Sequence, residues 1–308
     1  MFRIIGKTNV DFIGKRRMMF VVSTLLVAIG LFAFVMVLTG KANMGIDFAG
    51  GVMLQGHFEN PVSIDELRGR LTSQYPDVKV TELTKFEKPN AFIIKTKHPE
   101  TEAAGEERLQ GIRQIITDSF PENTFERDYT EVIGPAVGKT LRSNAVKAIL
   151  ISLIGILIYI GVRFDFRSGV AATIATFHDV LAVTGIFYLL GLEFDLLIVT
   201  ALLTLAGYSL TDTVVVFDRV RENLRKFRTK GEFVNTINSS INEVISRTIN
   251  TSLTVLFVVG TLFFFGGEVL HNFSLALILG VLVGTYSSVF VASPIVVEWE
   301  ARSPRRFK

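Results

Sequence analysis

The sequence predicts an α-helical membrane protein with six transmembrane helices and a small α+β domain inserted after the first. Three observations carry that prediction. Six apolar runs, 18–38, 143–162, 169–190, 196–217, 249–265 and 273–297, approach or exceed the ~20 residues that cross roughly 30 Å of hydrocarbon. Between the first and second runs, residues 39–142 turn abruptly charged and alternating. The 308-residue chain is 49% hydrophobic, with 26 Phe, one Trp and a mean hydropathy of +0.44, which is too apolar for a soluble domain of that length.

Residues 1–17 contain Arg3, Lys7, Lys15, Arg16 and Arg17 and are read as a cytoplasmic N-terminus. The first span, 18–38, is about twice as long as the apolar core of a cleaved signal and is read as a retained anchor. The basic residues after it fall on the same side. Arg163 and Arg167 lie between spans two and three. Arg219, Arg221, Arg225, Lys226, Arg228, Lys230 and Arg247 lie between four and five, and Arg302, Arg305, Arg306 and Lys308 follow six. The opposite short loops, "GLEFD" (191–195) and "GGEVLHN" (266–272), contain no Lys or Arg, so both termini are expected in the cytoplasm. The formal charge of +3 reflects this topology and gives no reason to expect a nucleic-acid partner. Cysteine is absent, which removes disulfides, thiol nucleophiles and Cys-ligated metals.

Within 39–142, "VMLQGHF" (52–58) alternates as a strand does, and "SIDELRGRLTSQ" (63–74) is an amphipathic helix with Ser63 and Glu66 at capping-box spacing. Strands follow at 78–83 and 91–97 around a Lys-Pro-Asn turn, then a helix at 100–120 and a strand at 124–133. The order βαββαβ is that of a split βαβ, ferredoxin-like sandwich. Such a domain either caps the bundle or holds an extended polypeptide along a sheet edge or face, and the sequence leaves both open.

The remaining bundle, 143–297, includes a cytoplasmic loop at 218–248 and ends in a tail at 298–308. Its distinctive residues are polar groups at membrane depth. Span three holds "FHDV", with His178 and Asp179 near the midplane as a proton relay or a structural hydrogen bond. Span four holds Asp212, with Thr204, Tyr208, Ser209, Thr211 and Arg219 around it. An ionised Asp near a helix centre costs on the order of 2.5–3.5 kcal/mol on insertion, so such a residue marks a functional site by default. Span five opens with Arg247, Asn250, Thr251 and Thr254 at i, i+3, i+4 and i+7, a polar stripe predicted to face span four. Arg247 either pairs with Asp212 as one half of a proton-controlled switch or snorkels to the headgroups; Asp212 either carries a proton or makes a static packing contact. The basic amphipathic stretch 219–250 is expected to lie along the membrane surface. On span six, Gly280, Gly284 and Ser288 form a small-residue ridge suited to close helix packing. No internal repeat relates spans one to three to spans four to six. There is no H-E-x-x-H, P-loop or G-x-S-x-G motif, and the four His (57, 98, 178 and 271) are dispersed, so neither an enzyme nor a bound metal or organic cofactor is expected.

Five stretches taken together are more specific: "GIDFAGG" (45–51, with Gly45, Asp47, Gly50 and Gly51), "EVIGPAVG" (131–138, with Gly134, Pro135 and Gly138), "FHDV" (177–180), "GYSLTDTVVVFDRVREN" (207–223) and "RTINTS" (247–252). In order and spacing they resemble the SecD/SecF family of protein-export membrane proteins in the RND superfamily, over nearly the whole chain. The short tail after span six is the main departure. The resemblance implies a bacterial inner-membrane subunit that pairs with SecD, a six-span counterpart that would account for the missing repeat. It also implies work beside SecYEG, SecA and YajC on unfolded secreted polypeptide, with protons as coupling ion. On this likeness Asp212 corresponds to the proton-carrying carboxylate and Arg247 to its partner. Two alternatives stand beside it: half of a proton-coupled small-molecule exporter, and a non-energised scaffold that binds secreted chains.

Overall fold

A computed structural model describes residues 8–83, 88–97, 101–226 and 233–303. Arg3, Lys7, His98, Arg228, Lys230, Arg305, Arg306 and Lys308 lie outside the described residues. Among the described residues, six helical segments are long and apolar enough to cross a membrane: α1 (Arg16–Thr39), α5 (Pro135–Arg163), α6 (Phe166–Leu189), α7 (Leu196–Lys226), α8 (Phe233–Phe265), and α9 (Gly267–Ser287) running on through a π-helical turn (Ser288–Ala292) into α10 (Ser293–Arg302). α6 is the axis of the bundle, with 72% of its apolar window buried against 17% for α1, α5 and α8.

Between α1 and α5 lie α2 (Ile46–Ala49), β1 (Gly51–Phe58), α3 (Ile64–Thr72), β2 (Lys79–Glu82), β3 (Ala91–Lys97), α4 (Glu102–Ser119) and β4 (Phe125–Ile133). The sheet is antiparallel throughout in the order β2-β3-β1-β4, the ferredoxin-like arrangement. Alternation in β1 and β3 buries Val52, Leu54, Phe58, Phe92 and Ile94 on one face, where Leu67 and Leu71 of α3 and Ile112 and Ile116 of α4 close the core. The Phe58 ring meets Phe92, Phe120 and Phe125 edge-on. A bulge between Gln55 and Gly56 shifts the pairing with β4.

Three local expectations are corrected. Ser63 starts α3 in extended conformation, yet its side chain makes no cap bond; the capping box is present in spacing alone. α5 begins at Pro135, well before the apolar run at 143, because Gly134 is the N-cap and the fixed φ of Pro135 suits the first turn. The stretch 219–250 is no separate surface helix. Apart from the undescribed turn, it consists of the ends of α7 and α8, which continue unbroken out of the spans and pair with each other: Asn223 Nδ2 donates to Ser240 Oγ (3.0 Å) and Glu243 Oε2 (3.1 Å), and Arg219 bridges Glu222 and Glu243. At 33 residues α8 is about 50 Å long, well beyond the hydrocarbon. Asn238 and Asn242 on it clamp the backbone of residues 10–13.

Close approaches fix the bundle. A Cβ on Gly30 of α1 would sit 2.2 Å from the Leu181 carbonyl oxygen of α6, and one on Gly185 would sit 2.9 Å from the Gly30 nitrogen. The ridge on α9 packs onto α7: a Cβ on Gly280 would meet Leu205, and one on Gly284 would meet Ser209. The π-turn lies just before Pro294, which has no N–H to donate one turn back, and Ser293 Oγ donates to the Ser288 carbonyl at 2.9 Å.

Candidate functional site

Along α7, the residues Ile198, Leu202, Leu205, Ser209, Asp212, Val216, Val220 and Asn223 are buried at steps of three and four, so one seam of the helix faces the bundle interior. Asp212 lies in that seam at 3% exposure. The hydroxyls of Thr285 on α9 and Ser252 on α8 lie against its carboxyl, while Oδ2 has no hydrogen-bond partner among the described residues. Ser252 Oγ is a hub. It accepts from Tyr208 OH (3.1 Å), lies 2.7 Å from Thr285 Oγ1 and can donate to the Thr248 carbonyl (2.9 Å), as Thr285 can to that of Val281 (2.8 Å).

Each hydroxyl carries a single proton. If Ser252 and Thr285 donate to backbone carbonyls, none is left for their mutual contact or for Asp212, so the cluster is short of donors. A proton placed on Asp212 would add one donor to this cluster and so permit a different arrangement of its hydroxyl hydrogen bonds.

One turn away the opposite holds. Asp179 of α6 is fully buried and accepts from His178 Nδ1 (2.8 Å), Ser209 Oγ (2.5 Å) and Ser287 Oγ (2.7 Å), which joins α6, α7 and α9 at a single carboxyl. The His178 ring lies near Tyr286 with Nε2 unpartnered, and Tyr286 OH contacts Ser23 Oγ of α1 (2.9 Å) and the Met19 carbonyl (3.0 Å).

The structure does not bring Arg247 to Asp212. Arg247, Thr251 and Thr254 are exposed and Asn250 is half-buried with Oδ1 unpartnered, so the stripe read from the sequence points away from α7. The residue of α8 that reaches Asp212 is Ser252, about 100° round the helix from Thr251; Thr248, one turn before Ser252, is buried as well. On α7 likewise, Thr204 and Thr211 are exposed and Ser209 serves Asp179; of the residues grouped with Asp212, only Tyr208 reaches its surroundings. Nothing in the sequence distinguishes Thr248, Ser252, Thr285, Ser287 and Ser23. Small hydroxyls are common in spans and carry no distinctive pattern, although Ser252 lies four residues after Thr248 and both recur on the seam.

The glycine-rich motifs form a clasp where the α+β domain meets the bundle. Asp47 Oδ2 accepts from the Leu196 N–H (2.8 Å) and Asp195 Oδ1 from that of Ile198 (2.9 Å), which satisfies two free donors at the α7 N-terminus. Gly45 N donates to the Phe194 carbonyl (2.7 Å) and Phe194 N to that of Asn43 (2.8 Å). Gly50 adopts φ +80°, and a Cβ on Gly51 would lie 2.4 Å from the Thr96 carbonyl oxygen. Gly138 presses α5 onto the same turn, 2.9 Å from Cβ position to the Phe48 carbonyl oxygen, just after Gly134 and Pro135 start that helix.

Residues 114–302 match the family model described as protein export membrane protein SecD/SecF, C-terminal. The protein translocase subunit SecF of Thermodesulfovibrio yellowstonii is 48% identical over 96% of this chain and 97% of its own length. That of Vibrio alginolyticus is 39% identical over 97% and 92%. Among solved structures, the crystal structure of SecDF, a translocon-associated membrane protein from Thermus thermophilus, aligns with a TM-score of 0.77 and 36% identity over 98% of this chain. A SecDF structure in a super-membrane-facing form aligns with a TM-score of 0.70. The chain spans 40% of the length of those two longer chains.

Proposed function

The chain belongs to the SecD/SecF family of protein export membrane proteins, and from that premise we propose that it is one half of a proton-driven motor for polypeptide export. The second half is a SecD chain. The membrane is the bacterial inner membrane, with both termini cytoplasmic and the α+β domain outside, where the motor works beside SecYEG, SecA and YajC on unfolded secreted polypeptide. No organic cofactor enters; protons are the coupling ion. The observation that carries this reading is Asp212, a buried carboxyl in a donor-poor hydroxyl cluster at membrane depth.

The partner is suggested by the face that α7 and α8 leave uncovered. Thr200, Thr204, Gly207 and Thr211 on α7 and Arg247, Thr251 and Thr254 on α8 are all exposed. The threonines bond back to their own helix, but an exposed guanidinium near the apolar region is better served by a second bundle than by lipid tails. Docking or rearrangement there is what would bring Arg247 toward Asp212.

Each proton that crosses 100 mV releases about 2.3 kcal/mol, which biases a two-state equilibrium nearly fiftyfold. Protonation of Asp212 rearranges its hydroxyls, α7 shifts against α8 and α9, and the α+β domain moves with it to grip or release emerging chain. Vesicles that contain the chain and its partner provide the test: Asp212→Asn abolishes the proton-dependent component of export while the complex still assembles. Unchanged proton-dependent export in that variant overturns the reading and favours a non-energised scaffold. A small-molecule exporter half is not favoured by the translocase relatives.

A further inference from the structure

A cavity of about 350 Å³ opens where the C-terminal end of α1, the turn into α2 and the first turns of α5 meet beneath the sheet domain. Its polar lining comes from Thr39, Asn43, Lys97, Lys139 and Arg142, and Met44 is among its apolar residues. Three cations thus line one cavity at the membrane boundary. Lys97 Nζ is held by Asn43 Oδ1 (2.8 Å), with Glu193 Oε1 at 4.0 Å. Arg142 and Lys139 form no ion pair among the described residues. Arg142 instead lies over Gly40, where a Cβ would come within 2.5 Å of Nη1; Gly40 is the left-handed C-cap of α1, so the guanidinium sits at the negative end of that helix. Burial, with Lys79 and Lys95 nearby, holds Lys97 below the ordinary lysine range against the attraction of Glu193 and Asp77.

The placement of this charge is unusual. The two other turns on this side, 191–195 and 266–272, contain no Lys or Arg, whereas basic residues here collect at the start of α5. Val35 and Leu38 in the last turns of α1 and Val137 in the first turn of α5 do not line the cavity, but they are exposed and lie within four residues along the chain of its lining residues Thr39 and Lys139. Cations above and exposed aliphatic side chains alongside match a ligand with an anionic head and an apolar tail.

We propose that this cavity binds a phosphate-bearing anion, the headgroup of an acidic phospholipid in the leaflet on the domain side, with Arg142 and Lys139 as the phosphate ligands and Lys97 behind them. A soluble phosphate shares the head chemistry, and the aliphatic flank is what favours the lipid. Bound there, the lipid ties α1, α5 and the sheet domain together at their common corner.

The test uses the purified full chain in detergent, titrated with phosphatidylglycerol, phosphatidylcholine or inorganic phosphate and read by native mass spectrometry. Wild type retains phosphatidylglycerol in preference to phosphatidylcholine. The Lys139→Gln, Arg142→Gln double variant loses about thirtyfold in that retention, the worth of two cations at a membrane surface. The charge-preserving Lys139→Arg, Arg142→Lys pair stays within roughly threefold of wild type, and Arg113→Gln, on exposed α4, has no effect. Equal retention of the two lipids by wild type, or undiminished phosphatidylglycerol binding in the double Gln variant, overturns the proposal. Inorganic phosphate that binds as tightly as phosphatidylglycerol overturns the lipid assignment.

Discussion

Replacing Gly30 by Ala tests the packing at the bundle axis most directly. The added Cβ would lie 2.2 Å from the Leu181 carbonyl oxygen, 2.5 Å from its carbon and 2.8 Å from its Cβ. Two of these are backbone atoms of α6, so no side chain can rotate away. Relief to an ordinary C···O approach of about 3.3 Å requires α1 and α6 to part by roughly 1 Å. Overpacking of this kind costs ~1–3 kcal/mol, which for a chain of this size lowers the melting temperature by roughly 2–5 °C. Two other glycines calibrate the measurement. At Gly280 the clash is with the Leu205 side-chain tip at 2.7 Å, which can turn, so Gly280→Ala costs less than about 1.5 kcal/mol. At Gly207 nothing lies within 4 Å, and Ala there is neutral or stabilising through helix propensity. The assay is the temperature at which half of the detergent-solubilised protein remains monodisperse by size exclusion. A Gly30→Ala protein that melts within a degree of Gly207→Ala would refute the close crossing.

Asp47→Ala removes the carboxylate that receives the Leu196 N–H and costs about 1 kcal/mol, whereas Asp47→Asn keeps an acceptor and stays within a few tenths, by the same melting assay. Ser209→Ala and Ser287→Ala each remove one hydrogen bond to Asp179 and cost ~0.5–1.5 kcal/mol; the double variant costs more than the sum, because the second loss leaves a buried carboxyl nearly bare, and simple additivity would count against the three-helix junction. Two carboxyls outside the spans respond to pH in opposite senses. Burial, with Asp47 and Glu193 nearby, pushes Asp195 above the ordinary carboxylate range. The folded state therefore takes up a proton there before the unfolded state does, and acidification toward about pH 4 stabilises through this group, an increment that Asp195→Asn abolishes. Asp77 is raised by burial but held below the ordinary range by Thr96, the Lys97 N–H and Arg108. Its contribution is present above about pH 3.9 and fades as pH falls through its lower folded value, a loss that Asp77→Asn does not show; melting curves between pH 7 and 3 separate the two.

Much of this molecule was legible in the chain because lipid and sheet each impose one strong rule. The six spans follow from apolar length, and the order βαββαβ follows from alternation and helical period. What failed was absolute helical phase. α8 offers polar residues on two faces, Arg247, Thr251 and Thr254 on one and Thr248 and Ser252 on another, and spacing alone does not say which is buried. The same ambiguity put Asp212 in a stripe with Thr204 and Thr211, although its seam is completed by Leu205, Ser209 and Val216. The role of Asp47 was unreadable for another reason: its partner Leu196 lies 149 residues away, and no local pattern announces a cap supplied by another part of the chain. The α7–α8 surface stretch misled because a helix that leaves the bilayer and pairs with its neighbour has the same amphipathic period as one that lies flat.

The cap on α7 from Asp47 limits how this protein can move. Because the first turn of α7, the 191–195 turn and the 43–47 segment share hydrogen bonds, and Gly138 locks α5 onto the same place, the sheet domain has no free pivot at its root. Under the proposed function, a rotation begun beside Asp212 would be transmitted along α7 without slack, like torque along a shaft keyed to its load. Under that reading flexure would fall further away, within the bundle itself, where the π-turn at Ser288–Ala292 interrupts the sixth span.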